Sequence, residues 1–155
     1  MSAGITAVVV SKGLDALLDV CLTHLRAALN EVVRGRDGGR EAQSRAEHAI
    51  VVVDNASEIP YEPARFRMQD AHWIRFDVDH SFASACNAGF AACPNDRVLL
   101  LNNDVLLAPE ALVEMSSVLD ADLRAGICGT RLLFPDGRIQ HCGVVFGAGK
   151  RGPYH

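Results

Sequence analysis

The sequence lacks the features that mark several common classes of protein. Its five cysteines form no Cys-X-X-Cys pair and are odd in number, so neither a zinc site nor a disulfide framework is favoured. No apolar run approaches the roughly 18 residues needed to span a membrane. The formal net charge of -4 argues against a nucleic-acid partner. We therefore expect a soluble, cytoplasmic protein, which a partner could hold at the inner face of a membrane.

The composition that is present is that of a globular domain. Hydrophobic residues make up 49% of the 155 residues and charged residues 22%, so the chain can bury one core. We expect a single domain over residues 1–155. The stretch from Arg34 onward carries many charges and three glycines but no apolar period, which predicts a surface loop insertion at residues 34–48.

Apolar periodicity predicts alternating strands and helices. Leucines and other apolar residues at three- and four-residue spacing between Leu14 and Val32 are typical of an amphipathic helix. Ser81 is a candidate helix cap, and Pro109 suits the first turn of a further helix. Four short apolar or alternating runs predict strands: Ile5–Val10, Ala49–Val53, His72–Phe76 and Arg97–Leu101.

This alternation predicts an α/β fold with a mostly parallel sheet and helices on both of its faces. Extended segments on either side of the turn Pro135–Gly137 predict a β-hairpin at the end of the domain. In such sheets ligands bind beyond the carboxyl ends of the strands. Polar loops beginning at Ser11, Asp54 and Asn102 are expected at those ends.

Two carboxylates follow apolar strands in these loops, Asp54 after the second strand and Asp104 after the fourth. Mg²⁺ prefers oxygen ligands and is often held by one or two carboxylates together with substrate phosphates. Asp104 is therefore a candidate metal ligand.

Four blocks of sequence carry a resemblance to a known family: Ile50–Ser57, Phe82–Phe90, Val98–Asp104 and Gly129–His141. In their order and spacing the chain resembles the family-2 glycosyltransferases of the GT-A fold, and within them the rhamnosyltransferase-like members. The resemblance implies a Rossmann-like nucleotide-binding half, the part of a GT-A domain that holds the sugar donor.

The resemblance also implies roles for individual residues. Asp54 matches the aspartate that binds the nucleotide base, and Ser11 lies in the loop that wraps base and ribose. Asp104 matches the last aspartate of the family's Asp-X-Asp motif and would hold Mg²⁺ or Mn²⁺ on the donor diphosphate, while Asn102 stands at the motif's first position. The full donor-binding set implied is Ser11, Asp54, Asn55, Ser57, Asn87, Asn102 and Asn103.

The function implied is inverting transfer of a sugar from a UDP- or dTDP-sugar to the hydroxyl of a glycan, a lipid-linked saccharide or a protein. The family's general base comes from a second half, which we expect beyond the chain end at Gly152–His155. Two alternatives therefore stand beside the enzyme: a catalytically incomplete module that binds nucleotide sugar, and a scaffold that associates with itself or with a partner chain.

Several of these residues also have plain structural explanations. Asp54 and Asp104 could cap turns, and Asn87 and Gly89 could permit close helix packing. His141 and Cys142 are adjacent on a predicted strand, so their side chains point to opposite faces and do not suggest a metal pair. Gly147–Gly152 fits a dinucleotide-binding pattern, but Pro153 and the chain end leave no helix to receive a pyrophosphate.

Overall fold

The chain alternates strand and helix as far as residue 121. The computed structural model describes residues 4–13, 15–37, 48–143, 145–146 and 153–154. In chain order its first strands and helices are β1 (Ile5–Ser11), α1 (Asp15–Asp37), β2 (Ala49–Asn55), a 3-10 turn (Pro63–Phe66), β3 (His72–Phe76), α2 (Phe82–Ala91), β4 (Arg97–Asn102) and α3 (Pro109–Ala121). Four short strands follow: β5 (Leu132–Leu133), β6 (Ile139–His141), β7 (Val145–Phe146) and β8 (Pro153–Tyr154).

Strands β1 to β4 form one parallel sheet in the order β3-β2-β1-β4. Strand β1 lies inside the sheet, and its Val8 stands opposite Val51 of β2 and Leu100 of β4. Consecutive parallel strands need a crossover connection, which α1 makes between β1 and β2, the 3-10 turn between β2 and β3, and α2 between β3 and β4. The predicted α/β class with a mostly parallel sheet is confirmed.

Helices cover both faces of the sheet, as predicted. Because side chains alternate along a strand, Ala7 and Val9 of β1 face α1 and α3, whereas Val8 and Val10 face α2. In the larger of the two cores, the apolar side of α1 packs against the sheet. The α1 side chains of this core include Leu18, Cys21, Leu22, Leu25, Ala28 and Leu29.

Three local predictions can be compared with the structure. Ser81 caps α2, since its Oγ accepts a hydrogen bond from the backbone N–H of Ser84 at 3.2 Å. Pro109 occupies the first turn of α3. Strands β5 and β6 pair antiparallel around the Pro135–Gly137 turn, which confirms the hairpin.

The start of the predicted loop insertion was wrong. Helix α1 continues to Asp37, three residues past Arg34, because Gly35 costs a helix only about 1 kcal/mol and no proline stops it. The rest of the predicted loop as far as residue 47, and the glycine-rich segment 147–152, lie outside the described residues. Within the described ranges, no helix has the length and apolar composition that crossing a bilayer requires.

Gly89 of α2 marks the closest approach between helix and sheet. A methyl group added there would lie 2.3 Å from Cγ1 of Val8, a β-branched side chain locked in the middle of the sheet. Gly89 therefore has the packing role that its sequence left open.

Replacing Gly89 by alanine should lower the free energy of unfolding. Overpacking of a core typically lowers the free energy of unfolding by ~1–3 kcal/mol. Alanine favours a helix more than glycine does, which offsets about 1 kcal/mol of that loss. Urea unfolding followed by circular dichroism measures the loss. Gly126→Ala is the matched control, since its added methyl group meets no atom within 4 Å. Equal stability of the two variants would contradict this account of the packing.

Candidate functional site

The carboxyl ends of β1, β2 and β4 meet at one edge of the sheet, beside a cleft of about 350 Å³. The register sets Ser11 opposite Asp54 and Val10 opposite Asn102, so the loops that leave these strands start side by side. Side chains from all three loops and from the start of α2 line the cleft. The polar lining residues are Ser11, Lys12, Asn55, Asn102, Asn103 and Asp104.

A chain of hydrogen bonds ties the β4 loop to the β1 loop. The Asn103 amide donates to Ser11 Oγ at 2.8 Å, and Ser11 Oγ lies 2.8 Å from the Tyr61 hydroxyl. Tyr61 in turn donates to the backbone carbonyl of Gly13. Ser11 is only 2% exposed, and its hydroxyl is engaged in this network. Its position holds Asn103 at the cleft wall.

Tyr61 is a part of the site that the sequence did not predict. It follows β2 by six residues, and its ring packs edge-on against Phe66 at a centroid distance of 5.6 Å. The sequence around Tyr61 does not indicate which groups its hydroxyl will contact, because those groups lie in a different loop. Its role comes from the fold, which places it against the β1 loop.

A second set of bonds joins the β1 loop to the β2 loop. Gly13 has a positive φ of 62°, a conformation that favours glycine, and its N–H donates to Ser57 Oγ at 2.8 Å. Ser57 is buried. The loops after β1, β2 and β4 are thus linked to one another through Gly13, Ser57, Tyr61 and Asn103.

The Asp54 carboxylate is buried, with 3% of the residue exposed, and both of its oxygens have partners within the protein. Oδ1 accepts the backbone N–H of Ser57 at 2.9 Å, and Oδ2 accepts the Arg75 guanidinium. Ala56, which lies in the turn between Asp54 and Ser57, has a φ of 60°, which is unusual for a residue with a Cβ. The turn-capping role of Asp54 is therefore present, and a base contact would have to use its remaining lone pairs.

Asn55 also makes contacts inside the protein. Its Oδ1 accepts the backbone N–H of His80 at 3.0 Å, and its Nδ2 donates to the His80 carbonyl at 2.8 Å and to Asp79 Oδ1 at 2.9 Å. The other Asp79 oxygen lies 2.8 Å from the Lys12 ammonium group. Asn55 thus fastens the loop between β3 and α2 against the end of β2.

In the β4 loop, Asn102 and Asp104 are exposed. The Asn102 carbonyl accepts the N–H of Val105 at 3.3 Å, which closes a turn and turns Asp104 outward at the cleft. Behind this turn Cys21 donates to the same carbonyl at 3.4 Å. Burial, and then the charge of Asp104, raise the pKa of the Cys21 thiol to about 11, so it stays protonated at neutral pH.

Asp104 would be the single carboxylate ligand of a metal in this cleft. Within the described residues, no three histidine, cysteine, aspartate or glutamate side chains cluster as a metal-binding group. An exposed single carboxylate suits Mg²⁺ or Mn²⁺, which keep water and take oxygens from substrate phosphates, better than a structural ion enclosed by protein. The donor set fits a metal that arrives with a phosphorylated ligand.

Asn87, like Asp54 and Ser57, is not among the residues that line the cleft. It is exposed on α2, one residue after the buried Cys86. Its predicted contact with the donor stays a prediction. Phe82, at the start of the same helix, does line the cleft.

Removing the Tyr61 hydroxyl should loosen the link between the loops. Tyr61→Phe keeps the ring packing but leaves Ser11 and the Gly13 carbonyl without that partner, at a cost of about 1 kcal/mol of unfolding free energy. Because Ser11→Ala breaks the same chain, the double variant should lose less than the sum of the two single losses, as chemical denaturation can measure. Ser117→Ala, which removes an exposed helix hydroxyl, is the control. Strict additivity would rule out a coupled network.

Comparison with known sequences places these loops in a family context. The sequence model of "Glycosyl transferase family 2" matches residues 20–140. The chain is 40% identical over 139 residues to "Uncharacterized protein y4gI" of Sinorhizobium fredii (strain NBRC 101917 / NGR234), an alignment that covers 83% of this chain and 14% of the relative. It is 33% identical over 111 residues to "O-antigen biosynthesis protein RfbC" of Myxococcus xanthus, covering 68% of this chain and 9% of the relative.

Comparison with solved structures supports the fold. The crystal structure of residues 1–349 of S. aureus TarS superposes with a TM-score of 0.57 at 15% identity, covering 76% of this chain and 32% of that 1–349 chain. A second TarS structure gives a TM-score of 0.54 at 14% identity, covering 76% of this chain and 20% of the other. The likeness bears on the architecture alone. The chain thus spans a small part of the relatives and structures that it matches.

Proposed function

The chain belongs to glycosyl transferase family 2, and we propose that its cleft binds a nucleoside diphosphate sugar, UDP- or dTDP-linked, together with Mg²⁺ or Mn²⁺. The observation that carries the proposal is the position of Asp104. It is an exposed carboxylate in the turn that follows β4, and the cleft that it lines also holds three amides and one lysine. Ligands of parallel α/β sheets bind at this edge.

The arrangement of exposed and buried groups supports a division of roles. Asp104 would hold the metal, and the Asn102 amide beside it could orient ribose or a metal-bound water. The buried Asp54 and its exposed partner Arg75 would face the base, with Ser11 and Ser57 shaping the loops behind it. Asn55, Asn87 and Asn103 complete the proposed donor-binding set, in which Asn55 and Asn103 are held by hydrogen bonds within the protein.

The proposed reaction is attack of an acceptor hydroxyl on the anomeric carbon, with inversion. A divalent ion, when bound, supplies charge neutralisation for the departing diphosphate. The residues of this chain bind and orient the donor, and a carboxylate base must take the proton from the acceptor. We assign that base to no residue described above, since the chain spans 14% and 9% of its two relatives.

The acceptor we favour is a hydroxyl of a saccharide. The relative from Myxococcus xanthus is described as an O-antigen biosynthesis protein, and the 33% identity to it supports a rhamnosyltransferase-like member of the family. A growing or lipid-linked saccharide would suit a protein acting in the cytoplasm at the inner face of a membrane. A catalytically incomplete module that binds the same donor is the alternative form of this proposal.

Calorimetric titration with UDP and dTDP, each with and without Mn²⁺, tests donor binding. We expect binding that Mn²⁺ strengthens, and Asp104→Asn should weaken the Mn²⁺-dependent binding roughly ten-fold or more, because a charged contact to the metal is lost. Donor hydrolysis or transfer by the purified chain separates the enzyme from the module, which would bind without turnover.

Asp96→Asn is the matched control for this test. Asp96 is an exposed carboxylate that immediately precedes β4, so it lies at the opposite end of the same strand. Its replacement should leave nucleotide binding unchanged. If neither nucleotide binds with Mn²⁺, or if Asp104→Asn behaves like Asp96→Asn, the proposed metal site is wrong.

A second candidate function, self-association, is favoured by the apolar surface along β4. Val98 and Leu100 are 40% and 43% exposed on the face that carries α2, next to the half-exposed Phe82 and Phe90. These side chains line a groove of about 580 Å³ that also reaches Ile127. Exposed apolar surface of this kind is typical of contacts between chains.

Light scattering at several concentrations tests the scaffold. A scaffold should form a stable multimer irrespective of nucleotide, and Leu100→Lys should shift it to monomer by placing a charge in the groove. Lys12→Met, which alters no residue of this groove, serves as the control. A monomer at every concentration would exclude self-association through this surface.

A further inference from the structure

Lys12 and Asp104 carry the two opposite charges of the cleft. Among the described residues that line it, Lys12 is the one cation and Asp104 the one carboxylate. The Lys12 ammonium group lies 2.8 Å from Asp79 Oδ2, in the loop between β3 and α2. The cation is therefore held at the rim of the cleft by a third residue.

Asp79 is the fixed partner of this pair. Its other carboxylate oxygen accepts the Asn55 amide at 2.9 Å, and Asn55 is itself bonded to the backbone N–H and carbonyl of His80. Lys12, by contrast, has a flexible four-carbon stem, and its side chain is 50% exposed. If the pair separates, Lys12 is the residue that moves.

The pair is weak enough to be exchanged. The side chain of Asp79 is 62% exposed, and an ion pair between two such exposed groups contributes little to stability. An anion in the cleft would offer Lys12 more charge and more acceptor oxygens than Asp79 does. A diphosphate has both, and it would be attracted to Lys12 as well as to a metal on Asp104.

We propose that Lys12 binds the diphosphate of the ligand and that Asp79 competes for it, holding the ammonium group away while the cleft is empty. The inference rests on the proposed function, because it concerns the same cleft. It assigns the diphosphate two contacts of different kinds, the metal held by Asp104 and the Lys12 ammonium group. It also assigns Asp79 a negative effect on affinity.

The two variants of this pair should change affinity in opposite directions. Lys12→Met keeps the stem and removes the charge, so Kd for UDP with Mn²⁺ should rise on the order of ten-fold. Asp79→Asn keeps the acceptor oxygen for Asn55 and frees Lys12, so Kd should fall roughly two- to five-fold. If the ion pair only stabilised the fold, both variants would break it and both would bind UDP more weakly. Isothermal titration calorimetry measures both constants.

The ligand series assigns the effect to the phosphates. Inorganic pyrophosphate with Mn²⁺ should follow the UDP pattern across the variants. Uridine, which has no phosphate, should bind each variant as it binds the unaltered chain. Raising the salt concentration should reduce the difference between Lys12→Met and the unaltered chain, because the contact is partly exposed and screened.

A double variant distinguishes competition between Asp79 and the diphosphate for Lys12 from direct repulsion of the diphosphate by the Asp79 carboxylate. If Asp79 acts through Lys12, then Asp79→Asn should leave affinity unchanged in the Lys12→Met background. Asp122→Asn is the charge control. Asp122 directly follows α3, and the last turn of α3 contacts Arg97 at the amino end of β4, the end opposite the cleft. Circular dichroism confirms that each surface variant is folded.

The outcomes distinguish this inference from the proposed function. Absence of UDP and pyrophosphate binding by the unaltered chain would overturn both. Binding that Lys12→Met leaves within two-fold, or that Asp79→Asn weakens, would overturn the inference and leave the proposed function standing. A gain from Asp79→Asn that persists without Lys12 would show that Asp79 acts on the anion directly, and would overturn the competition.

Discussion

The site depends on the pairing of β1 with both β2 and β4. Strand β1 is buried along its whole length, and the parallel register on its two sides sets the ends of three strands level. That alignment places Ser11 beside Asp54 on one side and Val10 beside Asn102 on the other. A shift by one residue would turn the apolar side chains of β1 to the opposite faces of the sheet, so the two cores fix the register and thereby the site. Gly89, packed against Val8, belongs to the same constraint because it lets α2 approach the sheet.

Polar groups at the end of a buried strand need partners, and here they find them in neighbouring loops. Ser11, Asp54, Asn55 and Ser57 are all buried, and each is hydrogen-bonded to another loop or to its own turn. A buried polar group without a partner costs free energy comparable to a lost hydrogen bond or more. The fold therefore requires this network, whether or not a ligand binds. Its consequence for binding is that these side chains form a fixed wall with few free donors or acceptors.

The fold was predictable from the sequence because its signals are local. Apolar runs of strand length, helical periodicity between them and a capping serine each depend on neighbouring residues, and the structure has the strands, helices and hairpin where those signals stand. The helix beyond Arg34 was missed because charge and glycine content outweighed helix propensity in the prediction. In the site, Asp104 could be located because it follows a strand. Tyr61, Arg75 and Asp79 could not, since their contacts join residues 18 to 67 positions apart in the chain, a pairing that only the folded loops reveal.

The two aspartates of the site have opposite relations to solvent, and this difference decides what each can do. Asp54 is enclosed and neutralised by Arg75, so its charge is already balanced in the empty protein. Asp104 is exposed, and the nearest cation of the cleft, Lys12, is paired with Asp79 instead. A ligand that brings both a cation and an anion, as a metal diphosphate does, satisfies Asp104 and Lys12 together without disturbing the buried network. A ligand of one charge sign would satisfy only one of them, and the presence of both charges at the cleft is what supports the proposal of a metal-bound diphosphate.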